Sequence, residues 1–187
     1  MSSTPTPRAA SSYTLDAAPA QRLPTRRRWF MLSLLLVATI INYVDRVNIS
    51  IAAPFMAKDL GLDKVEMGLI FSAFAWTYAL ALVPAGFIAD RFGSRLTYGV
   101  SLISWSAVTV AQGLASGFSS LFGLRLAVGA MEAPAFPANS RAVTVWFPAR
   151  ERGMASSIYV CGQYLGTALF TGALLWLATT YDWRHVF

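Results

Sequence analysis

Four ionisable side chains, Asp45, Arg46, Arg125 and Glu132, stand inside stretches otherwise made of residues that suit lipid. A charged side chain at the centre of a membrane helix costs about 2.5–3.5 kcal/mol on insertion scales. The adjacent pair in INYVDRVNIS, residues 41–50, therefore needs a partner or a task. Two chemistries suit these residue types. A carboxylate can take up and release protons, and a guanidinium can hold an anion through its fork of N–H groups. A buried ion pair that only fixes packing is the competing reading. His185 is the only histidine and Cys161 the only cysteine, which leaves no metal set and no disulfide framework. With no nucleophile–base pair either, the chain reads as neither an enzyme nor a cofactor protein.

Spacing gathers these groups. At about 100° per residue, Asp45, Asn42, Arg46, Ser50 and Tyr43 fall within an arc of about 160°, with Val44, Val47, Ile40 and Ile41 on the other side. In LFGLRLAVGAMEAPAFPAN, Arg125, Glu132 and Asn139 recur every seven residues and form one stripe with steps of about 10 Å. Counted from the outer helix ends, Arg125 lies about 9 Å deep, Asp45 about 15 Å and Glu132 about 20 Å. Two carboxylates and two guanidiniums are thus expected to converge near the midplane. Pro134 and Pro137 interrupt the same helix and free carbonyls, which is tolerated where backbone lines a cavity. Tyr78 and Gln163 sit at compatible depths, Gln163 between Tyr159 and Thr167. Gly162 and Gly166 form a GxxxG pair suited to close helix contact. The sequon Asn48-Ile49-Ser50 falls inside a membrane helix, so no glycosylation is expected there.

Helices that cross a bilayer must position these groups. The chain of 187 residues is 56% hydrophobic with mean hydropathy +0.51, and only 13% of it is charged. A soluble domain carries about 25% charge. Five segments, 29–55, 65–88, 97–115, 119–143 and 153–178, are long enough to span about 30 Å. Residues 1–28, rich in Ser, Pro, Ala and Arg without apolar periodicity, are expected to form a disordered tail. The apolar run after it is too long for a signal peptide core. The net charge of +6 is distributed unevenly. Arg8, Arg22, Arg26, Arg27 and Arg28 of the tail fall on one side with Arg91, Arg95, Arg150 and Arg152, and Arg141 is near them. Lys58, Lys64 and Arg184 fall on the other, beside Asp59, Asp63, Glu66 and Asp182. That asymmetry predicts a multi-pass protein of the cell (inner) membrane with a cytoplasmic N-terminus, and argues against nucleic acid as partner. It also brings the last residues, DWRHVF, to the outer side at the threshold of a sixth helix, as in a fragment of a longer bundle.

GFIADRFGSR, residues 86–95, resembles the loop between helices two and three of major facilitator transporters, written G-x-L-a-D-r-x-G-r-K/R. Gly86, Asp90, Arg91, Gly93 and Arg95 match, and Ser94 stands where a basic residue is common. LFGLRLAVG resembles the fourth-helix motif through Leu121, Arg125 and Gly129, with Val128 in place of the usual Gln. NYVDR, MGLIFSAFAWTY, EAPAFPAN and WFPARERG followed by GQYLG resemble the anion:cation symporter family, and within it the branch that carries sugar acids such as galactonate and glucarate. The resemblance covers residues 28 to 187.

The resemblance implies an all-α membrane protein with the major facilitator fold, here most of the N-terminal half: five transmembrane helices and the start of a sixth. It implies proton-coupled import of an organic anion by a protein that is monomeric at full length. Asp45 and Glu132 match the family's proton-titrating carboxylates. Arg46 and Arg125 match basic residues tied to the substrate carboxylate or to tuning those carboxylates. Tyr43, Tyr78 and Gln163 match positions lining the substrate cavity. Gly86, Asp90, Arg91, Gly93 and Arg95 match the conformational latch. Two alternatives stand beside this one. A drug/proton antiporter shares the Leu121, Arg125 and Gly129 pattern but carries a Gly-Pro step in helix five, where Thr167 stands here. A non-transporting sensor on the same fold needs an added signalling surface, for which the tail offers no helical pattern.

Overall fold

A computed structural model describes residues 26–187, so most of the expected tail, with Arg8 and Arg22, lies outside the described residues. Regular structure within them is helical: α1 Arg27–Asp59, α2 Lys64–Phe92, α3 Ser94–Gln112, α4 Phe118–Glu132, α5 Ala135–Trp146 and α6 Arg152–Thr180, with 3-10 turns at Ala149–Glu151 and Trp183–Val186. The last residues expected in the tail are already helical, because α1 begins at Arg27.

Local chemistry sets the breaks. Asp63 accepts the N–H groups of Val65 and Glu66 at 2.8 and 2.7 Å, and Glu66 accepts the Asp63 N–H at 3.0 Å. This reciprocal cap starts α2. Gly93 alone separates α2 from α3, with φ of 78°, a conformation that other residues adopt only under strain. The fourth segment is two helices, divided at Ala133 and Pro134. Pro134 lacks the N–H that would continue the ladder. Pro137, expected to interrupt as well, lies in the first turn of α5, where its N–H would have no helical partner anyway. At the far end of α5, Arg152 donates to the carbonyls of Phe147 at 3.1 Å and Thr144 at 3.0 Å.

In the bundle α1 packs on α6, α2 on α4, and α3 on both α4 and α5. Glycines allow the α1–α6 approach. A Cβ at Gly162 would stand 2.9 Å from the Leu36 carbonyl oxygen, and one at Gly166 2.7 Å from that of Ile40. One apolar cluster, around Leu32, Val143, Phe147 and Tyr159, closes the arginine-rich end. Another, around Ile49, Met56, Leu121 and Trp183, closes the opposite end. There Asp59 accepts from Trp183 Nε1 at 3.1 Å and Arg184 Nη1 at 2.8 Å, tying the last turn to α1.

The outside is apolar: Phe30, Trp76, Leu80, Val83, Phe87, Ile103 and Leu169 are all exposed. Water would tolerate such a surface poorly, whereas lipid solvates it. Three helices among the described residues, α1, α2 and the run Ala149–Thr180, are long and apolar enough by themselves to cross a membrane. Ser, Thr and Gln dilute α3, and the proline break shortens α4 and α5 to 15 and 12 residues.

Candidate functional site

The break after α4 leaves Glu132 as that helix's last residue, 1% exposed, facing α1. Arg46 meets it there. Its Nε and Nη2 lie 2.7 and 2.5 Å from Glu132 Oε1. Three aromatic rings surround this guanidinium, with centroids at 5.1 Å for Tyr43, 5.1 Å for Phe74 and 4.8 Å for Tyr78. A planar, weakly hydrated cation suits such walls. Arg125, one helical stripe position away, places its guanidinium carbon 4.9 Å from the centroid of the same Phe74 ring. Two cations therefore share one aromatic ring. Arg125 is 5% exposed, its Nε makes no hydrogen bond, and no carboxylate among the described residues reaches ion-pair distance of it.

A cavity of about 120 Å³ opens beside the pair. Of the residues singled out in the sequence, Tyr43, Arg46, Tyr78, Glu132 and Gln163 line it. Asn42, Tyr98, Asn139 and Tyr159 add polar atoms to the same wall. The arrangement can hold a small polar anion: two guanidiniums nearby, hydroxyl and amide groups around, and one buried carboxylate competing for Arg46.

Asp45 and Arg125 do not line the cavity itself: Arg125 shares the Phe74 ring with Arg46, and Asp45 faces a different helix. Neighbours on a helix point about 100° apart. While Arg46 turns to α4, Asp45 turns to α3 and accepts the indole N–H of Trp105 at 3.1 Å. Asn48 lies 3.5 Å from its other oxygen. The sequence reading missed Trp105. The available signal was a tryptophan inside a membrane helix, whose N–H needs a partner wherever the ring is buried.

The second set of residues lies at the arginine-rich end. Asp90 accepts from Arg141 Nη1 of α5 at 2.5 Å, so Arg141, counted in the sequence only as a charge near a loop, is the partner the motif lacked. Gly93 makes the turn, and nothing stands within 4 Å of a Cβ at Gly86. The Arg91 guanidinium lies 5.9 Å from the Phe92 ring, and Arg95 lines a surface cavity together with Arg141 and Trp146.

The model of the Major Facilitator Superfamily matches residues 21–187. The chain belongs to the Major Facilitator Superfamily. Among major facilitator proteins it is 45% identical over 164 residues to the D-galactonate transporter of Escherichia coli O6:H1, covering 88% of this chain and 38% of that one. It is 45% identical over 178 residues to the "Probable galactarate/D-glucarate transporter GudP" of Escherichia coli K12, covering 92% and 40%. A bacterial homolog of the human lysosomal transporter Spinster, in an inward-facing and occupied conformation, superposes with a TM-score of 0.74 at 28% identity, over 85% of this chain and 39% of that one. The chain thus spans about 40% of the length of the curated relatives it matches. These relatives are transporters rather than enzymes, and the apolar helices make this chain a multi-pass membrane protein of the same fold.

Proposed function

We propose that this chain is most of the first half-bundle of a secondary transporter that imports an organic anion, specifically a sugar acid, together with protons. The observation that carries this reading is the pair of half-buried Arg46 with buried Glu132 in the cavity wall, beside an Arg125 with no ionic partner among the described residues. A substrate carboxylate entering the cavity competes with Glu132 for Arg46. Proton uptake by Glu132 removes the competitor and frees the guanidinium to bind the anion bidentately. Anion and proton then favour each other's binding, and that reciprocity is the coupling symport requires. The names of the galactonate and galactarate/glucarate relatives support a sugar acid as the cargo.

Alternating access needs two bundles rocking around one site, and the length of the relatives leaves room for the second. In this reading residues 26–187 are a partial N-terminal bundle of a full-length monomer. Asp90 with Arg141, and Gly86, Arg91, Gly93 and Arg95 around them, form the latch that meets the other half. The excess of arginine at that end puts the N-terminus in the cytoplasm, with the protein in the cell membrane. An antiporter of drugs is disfavoured by α6, which runs unbroken from Arg152 to Thr180 while Thr167 donates to the Gln163 carbonyl at 2.9 Å.

The test is uptake of D-galactonate and D-glucarate into proteoliposomes containing the whole gene product. An inward proton gradient should accelerate and concentrate uptake of at least one of them; the same rate and plateau with the gradient collapsed would end the symport reading.

A further inference from the structure

We propose that Trp105 is the positioning residue of Asp45, and that with Tyr98 it links this carboxylate to the cavity from behind. The proposal deepens the proton-coupling reading and rests on it. Trp105 is fully buried, and its indole N–H can donate but not accept. That donor is spent on Asp45 Oδ2, at 3.1 Å. On its other side the Trp105 ring meets Tyr98 edge-on, with centroids 5.9 Å apart and planes at 86°. Tyr98 lies two helical turns earlier on α3 and lines the cavity that holds the Arg46–Glu132 pair. From the cavity inward the order is Tyr98, Trp105, Asp45.

The surroundings of Asp45 leave this contact few competitors. Asn48 lies beside it on its own helix, and no cationic side chain among the described residues reaches ion-pair distance of it. Arg46 turns to Glu132, and Tyr78 of α2 stands over that guanidinium. The charged residues of α5 and α6, Arg141 and Arg152, are engaged with Asp90 and with the carbonyls of Phe147 and Thr144. A hydrogen bond donated to a carboxylate favours its ionised form. A cavity occupant that shifts Tyr98 moves the edge against which Trp105 rests, and so changes the donor that Asp45 feels. Asp45 can therefore answer to substrate without touching it, while Glu132 answers by direct competition.

The experiment uses the whole gene product with Trp105→Phe, and with 3-benzothienylalanine at position 105, which keeps the shape of the indole but lacks the N–H. Infrared difference titration in detergent follows the carboxyl band of Asp45, identified by its loss in Asp45→Asn. Both variants should move the midpoint of that band upward by about one pH unit, as loss of one hydrogen bond to a carboxylate does. Adding D-galactonate should shift the band in the wild type and leave it in place in both variants. Unmoved midpoints in the benzothienylalanine variant, or no wild-type band that Asp45→Asn removes, overturn the proposal. A D-galactonate shift that persists without the N–H removes the link to the cavity. Proteoliposome uptake separates the two readings. Should the band move while uptake ignores the proton gradient, the symport reading falls and the Trp105 contact stands; coupled uptake with an unmoved band gives the reverse.

Discussion

Arg46 and Glu132, 86 positions apart in the chain, meet through a single carboxylate oxygen, with Nε at 2.7 Å and Nη2 at 2.5 Å from Oε1. The other oxygen, Oε2, is buried and makes no hydrogen bond among the described residues. The pair links α1 to α4 at the cavity wall, and the unbonded oxygen leaves a position for a proton. Removing Arg46 strands Glu132, which is 1% exposed. Arg46→Met should therefore cost about 3–5 kcal/mol of stability in detergent, and adding Glu132→Gln should recover most of the loss. Additive losses in unfolding measurements on the double variant would count against the pair.

The same pair predicts a split between two transport modes. Glu132→Gln keeps a hydrogen-bonding side chain beside Arg46 but cannot titrate. Net uptake driven by a proton gradient should fall to background, while exchange of labelled for unlabelled D-galactonate continues. Assaying both modes on one preparation checks this, and accumulation at the wild-type level would refute the role proposed for Glu132.

At the α1–α6 contact, a methyl group at Gly166 would meet the Ile40 carbonyl oxygen at 2.7 Å, and that atom belongs to backbone. Gly166→Ala should cost about 1–3 kcal/mol, as overpacking does. Gly172→Ala is the control, since nothing stands within 4 Å of its Cβ position. Thermal unfolding in detergent should separate the two by several degrees.

Asp90 and Arg141 form a pair with side-chain exposures of 75% and 39%. An ion pair so open to solvent contributes at most about 1 kcal/mol. Asp90→Asn should thus leave unfolding unchanged within that margin. If the pair belongs to a latch, the substitution slows uptake, and exchanging the two residues, Asp90→Arg with Arg141→Asp, restores part of the rate. A rate unaffected by Asp90→Asn would remove Asp90 from the latch.

The single cysteine permits a direct test of sidedness. With Cys161→Ser and any cysteine outside residues 1–187 also replaced, cysteines in place of Arg150 and Lys64 stand at opposite ends of the bundle. A membrane-impermeant maleimide added to intact cells should label position 64 and spare position 150. The opposite pattern would reverse the orientation inferred from the arginines.

Much of the fold was legible because its signals are local. Apolar length marks α1, α2 and α6, and Pro134 sets a break through its own backbone chemistry, while the Asp63–Glu66 cap and the turn at Gly93 came from the structure. The GxxxG pair was likewise readable, and α6 does approach α1 at Gly162 and Gly166. Pro137 was less readable, since a proline in a helix's first turn and one in its interior look alike until the break is located.

Composition and motif alone identified a helical membrane protein carrying Asp45, Arg46, Arg125 and Glu132 inside its bundle, because desolvating a charge is so costly that its presence is informative by itself. Which of them meet was decided only by the tertiary structure. Asp45 and Arg46 are consecutive in the chain, yet one step around α1 sends the first to Trp105 of α3 and the second to Glu132 of α4. Likewise Arg141 became the partner of Asp90 only once α5 packed near the end of α2. Helix rotation and the identity of the facing helix depend on contacts distant in sequence, and no local periodicity encodes them.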